Sequence, residues 1–589
     1  MVNFQDKANF IWQVADDILR GAFKQHEYGE VILPFVVLRR LDCVLEERKD
    51  AVIATYDKYK DVLDDTAQVC KEATKRDKSD KGLNFYNTSF YDLRRLAQDA
   101  NNIEVNFNNY INGYSRNVRD IIENFQIDKI VAKLVKNGYL FQLIDKFTEV
   151  ELHPDQVSNH QMGYIFEELL RRFSEMSNET AGEHYTPREV IRLMVNIMFA
   201  EHKKELKGEG IIRTVFDPAC GTGGMLVTAK EHIKEHINEK VEVHMFGQEL
   251  NEQTYAIAKS DVLIMGENEG NIRQGTSFSD DKFADMRFNY MLTNPPFGVS
   301  WKKEKAFIEN ETKNPYGRFS AGTPRISDGA LLFLQHMISK MEVNGSRIAI
   351  IFNGSPLFTG DAGSGESNIR KWIIENDWLE AVIALPTELF YNTGISTYIW
   401  VVTNRKPEKR RGRVQLVNAS GFSARMRKSL GSKRNFITDE QIREISAIYE
   451  AFSEGEYCKI FDNEDFGYTK VTVERPKKDS IKLVTKNGLL VTKDGKLVAK
   501  KCKRVPDSKL RDYEKIPLKQ DIDEYFEKEV KPHVPDAWMD RSKDKVGYEI
   551  NFTKYFYKYK PLRPLEEIKA DILALENETE GLLREILEG

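Results

Sequence analysis

The chain has 589 residues, more than one hydrophobic core accommodates, so about two to four domains are expected. Its 41% hydrophobic and 30% charged residues are a soluble balance, and no apolar run reaches the roughly 18 residues of a membrane span. A formal net charge of −5 excludes a protein that grips nucleic acid by bulk charge alone; a DNA-acting chain of this composition needs locally concentrated basic residues or a partner. The start, MVNFQDKANF, lacks the basic and apolar parts of a secretory signal. The five cysteines form no CxxC pair, so no disulfide framework and no metal site is expected, and a reducing cytoplasm fits best.

Residues 1–155 predict an α-helical N-terminal domain. Ile11, Val14, Ile18, Ile32, Phe35, Leu38, Leu41 and Leu45 recur at helical spacing. From 156 to 420, short Val- and Ile-rich runs alternate with helical patterns. Strands are expected at 211–216, 241–247, 288–293, 346–352, 380–385 and 398–403, the signature of an α/β domain with a mostly parallel sheet. Residues 301–328 are polar, contain Gly and Pro, and read as one long loop. The region 421–589 is mixed and partly helical. Thr438 and Gln441 fit a capping box, and Asn487-Gly488 and Asp494-Gly495 fit hairpin turns. The last helix carries Ile568, Ile572, Leu575, Thr579, Leu582 and Ile586 at coiled-coil spacing, over fewer than three heptads.

Two motifs carry chemistry. VFDPACGTGGML (215–226) follows a strand and opens a helix; Asp217 ends the strand, and Gly221, Thr222, Gly223 and Gly224 let backbone approach a ligand. The next strand ends in Glu249, placed to accept hydrogen bonds from both hydroxyls of a ribose. The turn begins Asp-Pro rather than Gly-x-Gly, and no Gly-Lys-Ser/Thr follows, which disfavours a pyrophosphate or a P-loop ligand. A nucleoside without phosphates fits better, and S-adenosyl-L-methionine is the expected cofactor. YMLTNPPFG (290–298) follows another strand. Pro295 and Pro296 fix the backbone and remove two amide donors. The Pro295 carbonyl and the Asn294 side-chain oxygen are then two acceptors for the two N–H groups of an exocyclic amine. Drawn towards tetrahedral geometry, that nitrogen exposes its lone pair, so positioning and electrostatics carry the rate without a general base. Phe297 offers a ring for stacking on a base taken out of the helix.

The pairing of DPACGTGG with NPPF resembles the amino-group DNA methyltransferases, and more closely the modification subunits of type I restriction–modification systems. GEHYTPREV (182–190), FGQELNEQTYAIAK (246–259), KVGYEINFTKYFYKYKPLRPLEEI (545–568) and the stretch around Trp12 and Leu38-Arg39-Arg40-Leu41 are also similar, so the likeness spans most of the chain. It implies a Rossmann-like methyltransferase domain and adenine-N6 methylation of double-stranded DNA. It also implies a separate specificity subunit that reads the target and binds two modification subunits, and an association with a restriction (nuclease/translocase) subunit. By the same resemblance Glu183, His184, Tyr185, Thr186, Pro187 and Arg188 contact the cofactor, with Thr222, Gly223, Gly224 and Glu249. Asn294, Pro295, Pro296 and Phe297 form the adenine site. The sequence departs from the family at Asn289, where Asp is common, at IRQGTSFSDD (272–281), which bears on adenine-ring contacts by Thr276, Ser277 or Asp280, and at IFNGSPLF (351–358). Segment 477–505 reads as an insertion.

Basic clusters at 404–413 and 424–434, with Lys302 and Lys303, are candidates for backbone phosphates. The loop 299–328, with Trp301, Phe307, Tyr316 and Phe319, is a candidate to order around a flipped strand. The C-terminal heptads are the candidate contact with the specificity subunit. Alternatives remain: cytosine-N4 methylation, protein glutamine methylation, or a scaffold that retains the fold without catalysis. Cytosine-C5 methylation needs a thiolate, normally after proline, and no cysteine here follows one.

Overall fold

Val- and Ile-rich runs buried on both faces make the strands that position the site. In the computed structural model these are β1 (Ile212–Asp217), β2 (Glu242–Glu249), β3 (Ile272–Gln274), β4 (Tyr290–Thr293), β5 (Arg347–Asn353), β6 (Leu379–Ala384), β7 (Thr397–Thr403) and β8 (Arg413–Asn418). A hairpin, β9 (Ala424–Leu430) and β10 (Lys433–Phe436), precedes β11 (Cys458–Asp462). The structure describes residues 4–77, 80–177, 186–201, 205–391, 393–476, 484–486, 489–491, 506–557 and 563–575.

The strands form a nine-stranded sheet in the order β11-β8-β6-β7-β5-β4-β1-β2-β3. β7 runs antiparallel to β5 and β6, and β11 antiparallel to β8; the other pairings are parallel. The carboxyl ends of β1 to β6 and of β8 therefore share one edge, where open α/β sheets bind ligands. The register Asp217↔Gly247 sets the tips of β1 and β2 side by side. All six expected strands are present with ends shifted by a residue or two. β3 is too short to show a pattern, and β8 emerges from a basic cluster that hides it. β11 carries the sheet beyond residue 420, across the expected domain boundary.

The N-terminal helices pack as expected, but their core does not stop at 155. Met162, Ile165, Phe166 and Leu169 of the helix Asn159–Ser177 join it, as do Ala256, Ile257 and Leu263 of the helix after β2. Residues 1–550 are one compact unit and 551–589 a second. Arg39 and Arg40, buried in the helix Tyr28–Leu45, clasp the connecting segment: Arg39 donates to the Val150 carbonyl (2.7 Å), and Arg40 to Val157 (2.8 Å) and Asn159 Oδ1 (2.7 Å).

Residues 301–328 are not one loop. They hold the helix Lys305–Glu311 and a small core in which Trp301, Ile308 and Phe319 meet Phe278 and Leu332. Trp301 and Phe319 face inward because each has apolar partners, leaving Tyr316 (96% exposed) and Phe307 outside. Arg318 fastens this insert to the segment after β3 by donating to the Ser277 carbonyl (3.0 Å), and within the insert it pairs with Glu311 (2.8 Å).

Beyond β11, Gly467–Glu474 pairs with Asp512–Pro517, Trp538–Met539 and Lys545–Tyr548. The Thr438–Gln441 capping box forms, both bonds present, and opens the helix Asp439–Ala451. Val484–Lys486 and Leu489–Val491 pair antiparallel across Asn487-Gly488, as a hairpin requires. Those two turn residues, Asp494-Gly495, and Thr579, Leu582 and Ile586 of the heptads lie outside the described residues. Ile568, Ile572 and Leu575 sit on a helical stretch, 565–575, and are exposed.

Candidate active site at the carboxyl edge of the sheet

The chain leaves β1 at Asp217 and turns back over the tip of β2. The Asp217 carboxylate accepts from the Ala219 amide (3.0 Å), and the Cys220 amide donates to the Gln248 carbonyl (3.0 Å). This crossing works only with glycine at 247, where a Cβ would stand 2.8 Å from Cys220 Sγ. Gly221 and Gly223 then adopt φ of +55° and +82°, which side chains resist, and Gly223 caps the helix Gly224–His232. Beside Gly221 a Cβ would meet nothing within 4 Å. That space opens into a cleft lined among others by Glu167, Thr186, Asp217, Thr222 and Asn294.

Glu249 ends β2 as expected. One of its oxygens accepts from the Gly221 amide (2.9 Å) and the other from Asn251 (2.8 Å). Each carboxylate oxygen keeps acceptor capacity beyond one bond. After β3, Ser277 is buried and donates to the Pro218 carbonyl, while Asp280 pairs with Lys282 (2.8 Å). These contacts brace the turn from the side away from β4.

Asn294 leaves β4 on the opposite lip. Its Nδ2 donates to Thr186 Oγ1 (2.9 Å), which fixes the amide with Oδ1 as the remaining acceptor end. Thr186 and Pro187 precede the helix Arg188–Ala200, so the segment ahead of the glycine turn and the Asn-Pro-Pro turn meet at this hydrogen bond. Glu183, His184 and Tyr185 lie outside the described residues.

Arg188 and Phe297 differ from expectation. The Arg188 guanidinium does not line the cleft. It is buried behind the turn, paired with Glu167 (2.8 Å) and donating to Thr228 (3.3 Å). Gly163 makes its space: a Cβ there would lie 2.2 Å from Arg188 NH2. Phe297 is 7% exposed and packs edge-to-face on Phe390, centroids 6.5 Å apart, so its flat face is not displayed for stacking. Packing against a ring in the segment after β6 outweighs exposing a phenyl group to water. Asn289 sits at the base of β4, its Oδ1 accepting from the Thr214 amide (3.0 Å); this departure from the family stitches β1 to β4 away from the cleft.

Glu167 was not legible as a site residue. It lies in a helix with ordinary amphipathic spacing, no motif surrounds it, and only the fold brings it to the cleft. With it the electrostatics become clear. Among the described lining residues there are two carboxylates and no lysine or arginine. Burial pushes the Asp217 carboxyl up to about 7, and the neighbouring Glu249 adds to it. Burial also raises Glu167, against the pull of Arg188. Such a cleft repels phosphate and favours a cation. Burial pushes the Cys220 thiol well above its usual range, so it is no nucleophile.

A wide, mostly parallel sheet with β7 inserted antiparallel between β5 and β6, a glycine turn after β1, an acid at the tip of β2 and Asn-Pro-Pro after β4 define a Rossmann-like methyltransferase domain. The family model for N-6 DNA methylase matches residues 157–477, more than half of the chain, and that for the HsdM N-terminal domain matches 7–147. A type I restriction enzyme methylase subunit of Methanocaldococcus jannaschii is 28% identical over 499 residues, 82% of each chain. One from Escherichia coli is 32% identical over 286 residues, 47% of this chain and 53% of that one. The methyltransferase subunit of a Streptococcus thermophilus type I restriction–modification system has the same fold: TM-score 0.58, 20% identity, covering 79% of this chain and 97% of that one. The chain belongs to the N-6 DNA methylase family, as a modification subunit of the type I restriction–modification kind. No helix among the described residues is long and apolar enough to cross a membrane.

Proposed function

We propose that the protein transfers a methyl group from S-adenosyl-L-methionine to the N6 amine of an adenine taken out of double-stranded DNA. Asn294, with Pro295 and Pro296, forms the adenine site; Asp217, Glu249 and the turn Gly221–Gly224 form the cofactor site. The observation that carries this reading is the Thr186–Asn294 hydrogen bond. It commits the amide nitrogen to the protein and leaves the oxygen as acceptor at the lip of an acidic cleft. The residues present fit the cofactor. It carries a sulfonium and an ammonium and no phosphate, and the described lining holds two carboxylates, of which Glu167 is paired with Arg188 behind the turn and Asp217 has no cation beside it. When bound, it supplies an electrophilic methyl group.

The chain's own part is orientation and charge. Glu249 retains acceptor capacity for ribose hydroxyls while its bond to Gly221 keeps the turn closed. Asp217 and Glu167 hold negative charge against the cationic ligand. Asn294 Oδ1 and the Pro295 carbonyl accept from the two amine hydrogens, holding the lone pair along the transfer direction. Phe297 acts from within the core, its contact with Phe390 fixing the end of the Pro-Pro turn.

In this reading the target sequence is read by a separate specificity subunit, which binds two modification subunits, and a restriction subunit is a further candidate partner of the complex. The exposed Ile568, Ile572 and Leu575 are the candidate contact with the specificity subunit. The reading is tested by methyl transfer from labelled cofactor to DNA, with and without the co-expressed partner, followed by nucleoside analysis. N6-methyladenine is expected from the wild type. Asn294→Ala should transfer at least about 10²-fold more slowly while still binding cofactor. N4-methylcytosine, or no methylated DNA under any partner condition, would overturn it.

A further inference from the structure

The two basic clusters of the central region lie at opposite edges of the sheet. The first, 404–413, follows β7 and leads into β8, so it sits away from the cleft. There Lys406 pairs with Asp377 (2.6 Å), Arg410 and Lys409 with Glu201 (3.0 Å each), and Arg405 with Glu205 (3.2 Å). It is largely internal strapping.

The second cluster leaves β8 at the cleft edge as the hairpin β9–β10. Arg425, Arg427 and Lys428 of β9 are exposed and meet no carboxylate among the described residues. The other strand is anchored. The amides of Arg434 and Asn435 donate to the Glu388 carbonyl (2.9 and 3.2 Å), Asn435 Nδ2 to Thr387 (3.1 Å), and the Ser432 amide to Tyr391 (2.7 Å). Glu388 is held at φ +56°, a left-handed conformation that a residue with a side chain keeps only when its surroundings enforce it. Phe390, in the same segment, is the ring that packs on Phe297. Lys433, 3% exposed, donates to the Leu389 carbonyl (2.8 Å) and forms an ion pair with Glu189. Glu189 lies three residues beyond Thr186, the partner of Asn294. Two short routes thus join the hairpin to the catalytic turn.

We propose that the hairpin Ala424–Phe436 is an arm that binds the phosphate backbone of the DNA duplex, and that Lys433 is a positioning residue tying the arm to Asn294. The inference rests on the DNA-methylating reading above. The occupant follows from charge: exposed guanidinium groups that meet no carboxylate among the described residues, on a hairpin anchored through its second strand, attract a polyanion at the rim without drawing phosphate into the acidic cleft. The arm supplies the local positive charge that the net charge of −5 does not. Through Glu189 and Phe390, a duplex seated on the arm meets Asn294 at a fixed offset.

The test uses the full chain in its DNA-methylating complex and a plasmid-derived duplex fragment. Affinity is measured against salt for the wild type, Arg425→Gln/Arg427→Gln, and a charge-matched control at the opposite edge, Arg411→Gln/Arg413→Gln. The arm variant should lower the slope of log affinity against log salt by about 0.9 per lost phosphate contact and weaken binding about ten-fold at low salt; cofactor binding and subunit assembly stay as in wild type. The control should leave the slope unchanged. Lys433→Met should lower the methyl-transfer rate at saturating DNA without altering the slope, and Lys433→Arg should restore it. An unchanged slope in the arm variant, an equal loss in the control, or lost subunit assembly in place of lost DNA binding would each overturn the proposal. Slopes are read from binding alone, so a wild type that binds DNA but transfers no methyl group counts against the methyl-transfer reading and leaves the arm to be judged by its slope.

Discussion

Buried charge occurs in two places in the sheet domain, and the two are built differently. On the flank of β5, β6 and β8, Arg347, Glu380 and Arg410 are fully buried with Tyr449. Arg347 pairs with Glu380 at 2.6 Å, and Arg410 donates to Gln415 (2.7 Å) and to the Tyr449 carbonyl (2.6 Å) while pairing with Glu201. Cations match the acids, and Arg347 and Arg410 hold the Glu380 carboxyl below its ordinary range despite burial. In the cleft, Asp217 is as deeply placed, but among the described residues its neighbours are the Ala219 amide, the Thr293 hydroxyl and the Glu249 carboxylate, with no cation, and its carboxyl is pushed up to about 7. The first arrangement holds the domain together. The second leaves Asp217 without a cation among the described residues, and a cationic ligand is its natural counterpart.

The comparison breaks most visibly if Glu380 proves dispensable. Glu380→Ala leaves two buried guanidinium groups short of a counter-charge and should destabilise the chain by about 3–5 kcal/mol, read as a lowered unfolding midpoint. Because its folded pKa is lowered, its contribution is present above the unfolded value of 4.5 and is lost as pH falls through the folded value. Asp217→Asn should do the reverse. A carboxyl raised in the folded state costs stability as pH climbs from about 4 to about 7, so removing it should stabilise the ligand-free chain at pH 8 by on the order of 3 kcal/mol. The same change should abolish cofactor binding. In the wild type, cofactor affinity should weaken below pH 7, with proton release on binding measurable by calorimetry in two buffers. Asp42 and Asp261, raised to about 6 and about 7, keep their shares of the stability slope in the variant. The smallest effect tests the cleft's one matched pair. Gly163→Ala places a methyl group against the Arg188 guanidinium and should cost about 1–3 kcal/mol, with weaker cofactor binding as Glu167 shifts.

Much of the site was legible because the chemistry sits on short contiguous motifs. Asp217, Glu249 and Asn294 stand at strand tips and Gly221 and Gly223 in the turn that follows one, and alternating strands and helices put those tips on one edge. Three kinds of feature were hidden. Glu167 reaches the cleft from a distant helix that carries no motif. Arg188 and Phe297 belong to motifs, but their side chains turn inward because partners in remote segments, Glu167 and Phe390, bury them. The segment 301–328 looks like a loop because its apolar residues are few and irregularly spaced, yet they suffice for a small core. The two basic clusters look alike as sequence; only strand direction shows that one faces the cleft edge and the other does not.

The helix Asn159–Ser177 gives Ile165, Phe166 and Leu169 to the N-terminal core and Glu167 to the cleft, and the segment leading into it is gripped by Arg39 and Arg40. The join between the two matched family regions is therefore a poor place for recombination. A gene spliced there would inherit the catalytic motifs intact but lean one wall of the cleft on a foreign hydrophobic surface. The two regions are thus bound to one another by packing, without sharing a chemical task.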